Sequence, residues 1–193
     1  MPNLYIISGC NGAGKTTASF TILPDMLNCK EFVNADEIAK GLSPFQPETV
    51  SFQAGRIMLE RIEELIKSGV DFAFETTLTT LSYMSTIKFA REKGYSVTLL
   101  FFWLNDVNLA IERVKTRVSE GGHNIPEETI RRRYSRGTNN LINKFIELCD
   151  IWIIINNSSK PFSFVAEGQS NTQIKIHDEP IWQLFKKQRD EKD

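Results

Sequence analysis

Residues 9–16 read Gly-Cys-Asn-Gly-Ala-Gly-Lys-Thr and match the phosphate-loop pattern G-x-x-x-x-G-K-[ST] at every fixed position. An apolar, β-prone run at residues 4–7 precedes the motif, and a helical pattern follows it from residue 16 to residue 23, where Pro24 ends it. In such a strand, loop and helix, the backbone curls around one anion at the positive end of the helix. The sequence therefore predicts a nucleotide-binding loop.

Two side chains of the motif have separate predicted roles. We expect Lys15 to reach the β- and γ-phosphates of ATP or GTP, and the Thr16 hydroxyl to hold Mg²⁺. The loop backbone and the start of the helix supply the remaining contacts. The predicted nucleotide-binding residues are Gly9, Asn11, Gly12, Ala13, Gly14, Lys15, Thr16 and Thr17.

Charge and hydropathy exclude several classes of partner. The chain has 193 residues and a net charge of −1, which offers no electrostatic reason to bind nucleic acid or a membrane surface. No apolar run is long enough to span a bilayer. Cys10, Cys29 and Cys149 are odd in number and widely spaced, so we expect reduced thiols in a cytoplasmic protein.

Apolar runs alternate with helical patterns along the chain, which predicts an α/β fold with a mostly parallel sheet between two helical layers. We expect five strands near residues 3–8, 31–34, 70–74, 97–104 and 151–155, and a long helix over 127–148. The tail predicts a small hairpin and a terminal helix near 180–188. We expect one domain over 1–193, with a core at 1–158, a lid at about 117–136 and an extension at 159–193.

Polar residues follow the predicted strands, where open α/β sheets bind their ligands. Asp36 is the best candidate for a general base toward an acceptor hydroxyl, although it could instead cap a helix over 37–40. Glu75 could hold Mg²⁺ or contact the acceptor, or it could make a purely structural bond near the first loop. Thr76 is expected to line the acceptor side with Glu75.

Arginines surround a glycine-rich break at residues 121–126. Arg117 lies before the break, and Arg131 and Arg133 flank the apolar stripe of the next helix. Arginine forks suit phosphate oxygens, and a hinged segment can bring them onto a nucleotide. We predict catalytic roles for Arg117, Arg131 and Arg133 beside Lys15 and Asp36. The alternative is a solvated, charged helix face.

Taken together, these segments resemble the zeta-toxin-like P-loop kinases. The resemblance covers about residues 4–158 and rests on the segments 7–17, 33–39, 54–59, 72–78, 113–118, 121–126, 130–134 and 156–158. It implies five parallel strands in a nucleoside-kinase-like order, ATP·Mg²⁺ at the first loop, and a phosphorylated hydroxyl acceptor. It also implies that Asp36 is the catalytic carboxylate, that a UDP-sugar is one candidate acceptor, and that a protein antitoxin is one candidate partner.

The combined prediction is an ATP-dependent phosphotransferase that acts on a hydroxyl of a small molecule. One alternative is an ATPase or nucleotide switch without an acceptor. Another is a non-catalytic regulator of the toxin–antitoxin type. The presence of Lys15, Thr16 and Asp36 together favours the enzyme, since a degenerate binding module need not keep them.

Overall fold

The computed structural model describes residues 1–122, 124–169 and 174–190, so His123 in the predicted lid lies outside the described residues. The strands are β1 (Asn3–Ser8), β2 (Glu31–Val33), β3 (Phe72–Thr76), β4 (Ser96–Trp103), β5 (Ile151–Asn156), β6 (Ser163–Gln169) and β7 (Lys175–Ile176). The helices are α1 (Lys15–Thr21), α2 (Ala35–Leu42), α3 (Ser51–Ser68), α4 (Tyr83–Glu92), α5 (Val107–Ser119), α6 (Glu127–Asn140) and α7 (Glu179–Asp190).

The strands form one sheet in the order β2-β3-β1-β4-β5-β6-β7. The first five in that order are parallel, and β6 and β7 each run antiparallel to their neighbour. The prediction of five strands was therefore wrong, because the described residues form seven. The tail pairs with β5, whose edge would otherwise present unpaired backbone groups. The short connection at residues 157–162 makes that pairing antiparallel.

Helices cover both faces of the sheet, which confirms the predicted three-layer architecture. Side chains of β1 alternate between the two sides, as strand geometry requires. Leu4 and Ile6 pack in a cluster with side chains of α3, α4 and α7, whereas Ile7 packs in a second cluster with side chains of α5 and α6. Most of β4 is buried, as expected for a central strand between two helical layers.

Two element boundaries differ from the prediction in ways that affect the site. β3 continues through Glu75 and Thr76, because both residues pair in register with the end of β1. α2 begins at Ala35 and is capped by Asn34, whose side chain accepts a hydrogen bond from the backbone N–H of Asp36. The alternative interpretation of Asp36 as the helix cap was therefore wrong, since Asp36 lies inside the first turn.

Two predicted helices end in irregular turns. The first helix ends at Thr21 and continues as a π-helical turn, Ile22–Met26, that contains Pro24. The long predicted helix is α6 up to Asn140, followed by a π-helical turn and a short 3₁₀ turn that end at Leu148. Neither change moves the ends of the strands that carry the candidate site residues.

Candidate active site

The loop between β1 and α1 has a backbone that only glycine adopts readily. Gly9, Gly12 and Gly14 have φ values of 137°, 78° and 84°. A Cβ atom at Gly9 would lie 2.2 Å from the carbonyl oxygen of Phe102, and one at Gly12 would lie 2.5 Å from that of Ala110. The loop therefore packs directly on the end of β4 and on α5, and these contacts fix its curvature.

Lys15 and Thr16 meet a carboxylate from the neighbouring strand. The Nζ of Lys15 donates to the carbonyl oxygen of Cys10 at 3.0 Å and lies 3.4 Å from Oε1 of Glu75. The Thr16 hydroxyl donates to Oε2 of Glu75 at 2.8 Å. The side chains of Lys15 and Glu75 are only 6% and 9% exposed, so each charge has its partner in a nearly dry environment.

Strand pairing explains why Glu75 lies beside the phosphate loop. β1 and β3 are parallel neighbours, and Ile7 is opposite Glu75 in their register. The last residues of β3 therefore lie next to the loop that leaves β1. Thr76, also predicted to line the acceptor side, is buried, and its hydroxyl accepts a hydrogen bond from the backbone N–H of Leu78.

Asn34 connects Asp36 to this cluster. Its amide nitrogen donates to Oε2 of Glu75 at 3.0 Å, and its amide oxygen accepts from the backbone N–H of Asp36 at 2.8 Å. Asn34 has no predicted role, although it lies within segment 33–39, one of those on which the resemblance to the kinases rests. A good helix-capping residue directly after a strand was the signal that could have identified it.

Asp36 and Arg117 line one cleft of about 880 Å³. One wall is formed by α2 and the loop after it, and the other by the end of α5 and the following loop. The described residues that line the cleft are Asp36, Lys40, Pro44, Phe45, Pro47, Glu48, Arg117, Glu120, Gly121, Gly122, Asn124 and Pro126. The cleft has the size of a small-molecule site and contains charges of both signs.

The predicted lid arginines make different contacts. Nη1 of Arg133 donates to the side-chain oxygen of Asn11 in the phosphate loop at 2.9 Å. Burial lowers the pKa of Arg133, and the carboxylate of Asp36 acts in the opposite direction. Arg131 is exposed and pairs with Glu127 at 2.7 Å and with Asn108 at 3.0 Å.

A second set of polar contacts holds the phosphate loop from the β5 side. The side-chain amide of Asn157 donates to the carbonyl oxygen of Ala13 at 2.8 Å. Arg113 donates to the backbone carbonyl oxygens of Asn157 and Ser158 at 2.9 and 3.2 Å. Arg113 therefore fixes the segment after β5, and that segment in turn fixes the phosphate loop.

The oxygen atoms at the loop fit a magnesium ion. The Thr16 hydroxyl and the Glu75 carboxylate lie 2.8 Å apart, and both are the hard oxygen ligands that Mg²⁺ prefers. Within residues 1–122, 124–169 and 174–190, no group of three or more His, Cys, Asp or Glu residues could hold a metal ion.

No helix in the same part of the chain is long and apolar enough to cross a membrane.

Comparison with known proteins places this chain in a family. The family model described as zeta toxin matches residues 1–162. The chain belongs to the zeta toxin family. An uncharacterized protein from Haemophilus influenzae is 34% identical over 127 residues, which are 65% of this chain and 88% of that relative.

Solved structures of distant relatives share the fold. A chain from the PezAT chromosomal toxin–antitoxin system of Streptococcus pneumoniae is 18% identical, with a TM-score of 0.69 over 97% of this chain and 86% of that one. A chain from the AvrRxo1-ORF1:-ORF2 structure with ATP is 17% identical, with a TM-score of 0.73. There the match covers 95% of this chain and 63% of the longer chain.

Proposed function

We propose that this zeta toxin family protein is an ATP-dependent phosphotransferase that moves the γ-phosphate to a hydroxyl of a small molecule. The observation that carries the proposal is one connected set of side chains. Thr16 bonds to Glu75, Glu75 bonds to Asn34, and Asn34 bonds to the backbone of Asp36. This set joins the phosphate loop to the 880 Å³ cleft. A nucleotide on one side and an acceptor on the other would meet at Asp36.

The nucleotide half of the site is the loop from Gly9 to Thr17. Its backbone and Lys15 would hold the phosphates of ATP, as in other P-loop proteins. Thr16 and Glu75 would hold Mg²⁺, which supplies positive charge on the phosphates when bound. Lys15 has to exchange its contacts with Cys10 and Glu75 for phosphate oxygens. One known relative of this fold has a structure with ATP, which supports the choice of nucleotide.

The acceptor half is the cleft beside α2. Asp36 would accept the proton of the acceptor hydroxyl. The hydroxyl oxygen would then bond to the γ-phosphorus as the bond from the γ-phosphorus to the ADP oxygen breaks. Arg133 would stabilise the transferring group from the loop side, and Arg117 would do so from the lid at 117–136. Arg131 would join them only by leaving its pairs with Glu127 and Asn108.

The test is a transfer assay with ATP·Mg²⁺, GTP·Mg²⁺ and a panel of UDP-sugars and nucleosides, run with wild type and Asp36→Ala. We expect wild type to phosphorylate one acceptor, and Asp36→Ala to bind nucleotide normally while losing about 10²–10⁴-fold in rate, the usual contribution of a general base. Equal transfer by both proteins would contradict the role of Asp36. ADP formation that no acceptor stimulates would identify an ATPase or switch instead.

A protein antitoxin is the proposed partner, because a fold relative belongs to a toxin–antitoxin system. An antitoxin is needed only if the protein is toxic, and expression of wild type and of Asp36→Ala in a bacterial host tests that toxicity. Wild type should slow growth, and Asp36→Ala should not. Normal growth with active wild-type enzyme present would count against a toxin role while leaving the phosphotransferase intact.

A further inference from the structure

Asn34 uses both ends of its amide within the candidate site. The oxygen accepts from the backbone N–H of Asp36 at 2.8 Å, and the nitrogen donates to Oε2 of Glu75 at 3.0 Å. The residue is only 6% exposed. The amide orientation follows from these partners, since a backbone N–H needs an acceptor and a carboxylate needs a donor.

The fold places Asn34 between two strands. β2 and β3 are parallel, and Val33 is opposite Phe74, so the residues that follow this pair, Asn34 and Glu75, are neighbours. Asn34 is also the residue that caps α2, in an extended conformation with φ −136° and ψ 120°. Asn34 therefore follows β2 directly, caps α2 and donates a hydrogen bond to the carboxylate of Glu75 in β3.

We propose that Asn34 is a positioning residue that fixes Glu75 relative to Asp36. Glu75 accepts from Thr16 and Asn34 through the same oxygen, while its other oxygen lies 3.4 Å from Lys15. Without the amide donor, only Thr16 and Lys15 would hold that carboxylate, and no side-chain bond would tie it to the start of α2. Asn34 thus sets the distance between the magnesium side of the site and the acceptor side.

The amide is chemically suited to this double role. An aspartate at this position would keep the cap but would bring a second carboxylate against Glu75. A serine would also keep the cap, but its hydroxyl ends one bond short of the amide nitrogen. Helix capping and control of Glu75 can therefore be separated by substitution, which makes the inference testable.

The first experiment compares Asn34→Ser with Asn34→Ala, because both remove the donor to Glu75 and only the alanine variant removes the cap. The measurement is the affinity for N-methylanthraniloyl ATP in Mg²⁺ and in EDTA. We expect both variants to lose about 10–100-fold of the gain that Mg²⁺ gives, as when a partner of a metal ligand is removed. Asn34→Ala should also melt about 2–4 °C below Asn34→Ser, because only the alanine variant loses the cap.

Asp178→Ala is the matched control. Asp178 accepts from the backbone N–H of Ile181 and so caps α7 with a bond of the same kind. This variant should melt lower with an unchanged Mg²⁺ effect on nucleotide affinity. An unchanged Mg²⁺ effect in Asn34→Ser, or an equal loss in Asp178→Ala, would overturn the positioning role and leave Asn34 as a helix cap.

The inference rests on the proposed function, so a second experiment tests the contact without nucleotide or acceptor. Asn34→Asp should lower the melting temperature by placing two carboxylates together, and it should lower it less in a Glu75→Gln background, where the pair is again one carboxylate and one amide. The comparison between backgrounds cancels the loss of the charge partner of Lys15. An equal drop in both backgrounds would overturn the contact itself. A wild type that transfers no phosphate would instead overturn the proposed function.

Discussion

At the scale of single residues, the site depends on one carboxylate, that of Glu75, which contacts two side chains of the phosphate loop. Glu75 is almost buried, and it pairs with Lys15 while accepting a hydrogen bond from Thr16. A buried charge is tolerated only when it is paired and hydrogen-bonded. Removing Glu75 would therefore leave Lys15 without that partner in the nucleotide-free protein, and nucleotide phosphates are the natural replacement.

Arg131 and Arg133, both predicted to be catalytic, should contribute unequally to transfer. Arg133 bonds to Asn11 in the phosphate loop, whereas Arg131 is exposed and pairs with Glu127. We expect Arg133→Ala to lower kcat by about 10²–10³-fold, as for loss of one donor to the developing charge. Arg131→Ala serves as the control in the same assay and should change kcat much less. Equal losses would mean that Arg131 leaves its surface pair during the reaction.

At the scale of elements, the site is built from the ends of parallel strands. The loop after β1 carries Lys15, the end of β3 carries Glu75, and the segment after β5 carries Asn157. Each reaches the phosphate loop, because parallel neighbours end at the same edge of the sheet. Asn157 braces the loop through Ala13, and Arg113 braces Asn157.

Removing the hydrogen bond from Asn157 to Ala13 should weaken nucleotide binding without changing the affinity for the acceptor. Asn157→Ala leaves the carbonyl oxygen of Ala13 without this donor, so the free loop loses a bond that preorganises it. We expect the Kd for N-methylanthraniloyl ATP to rise by up to about tenfold, the equivalent of that one hydrogen bond. The control is Asn143→Ala, which removes an amide bond to Asn139 on an exposed surface. The same Kd in both variants would show that the loop keeps its shape without Asn157.

At the scale of the whole molecule, the fold buries three thiols that lie outside its strands and helices. Cys10, Cys29 and Cys149 are free and buried. Burial raises the pKa of the Cys10 thiol to about 11 and that of the Cys149 thiol to about 12, from an ordinary value of 9.0. The folded protein therefore favours the protonated thiols, and the unfolded chain loses those protons first as the pH rises.

This difference predicts a loss of stability in alkali. The contribution of Cys10 and Cys149 is complete below pH 9.0 and declines as the pH rises through 11 and 12. The free energy of unfolding should fall by up to about 1.4 kcal/mol per pH unit for each thiol in that window. Urea titrations of wild type and Cys149→Ala from pH 7 to 11 measure the free energy of unfolding at each pH. We expect this free energy to fall less steeply with pH in the variant. Identical slopes would assign the effect to other groups, such as Tyr83, whose pKa burial also raises.

Local sequence patterns were sufficient for much of the fold. The glycines of the phosphate loop, the alternation of strands and helices, and the polar residues after the strands are determined by nearest neighbours and by side-chain periodicity. The three-layer sheet followed from them and was confirmed, and the resemblance to the zeta-toxin-like kinases was confirmed as membership of the zeta toxin family. The predicted site residues stay predictions, although the structure brings Lys15, Thr16 and Glu75 into contact.

What the sequence alone determined is therefore the kind of elements in this chain and the presence of a phosphate loop. Tertiary structure decided which strand ends are neighbours. It placed Asn34 against Glu75 and brought Asn157 to Ala13. It also directed Arg133 to Asn11 in the phosphate loop, and it added β6 and β7 to the sheet. These pairs are separated by up to 144 residues. No local pattern encodes such contacts, because they depend on how distant segments pack together around one core.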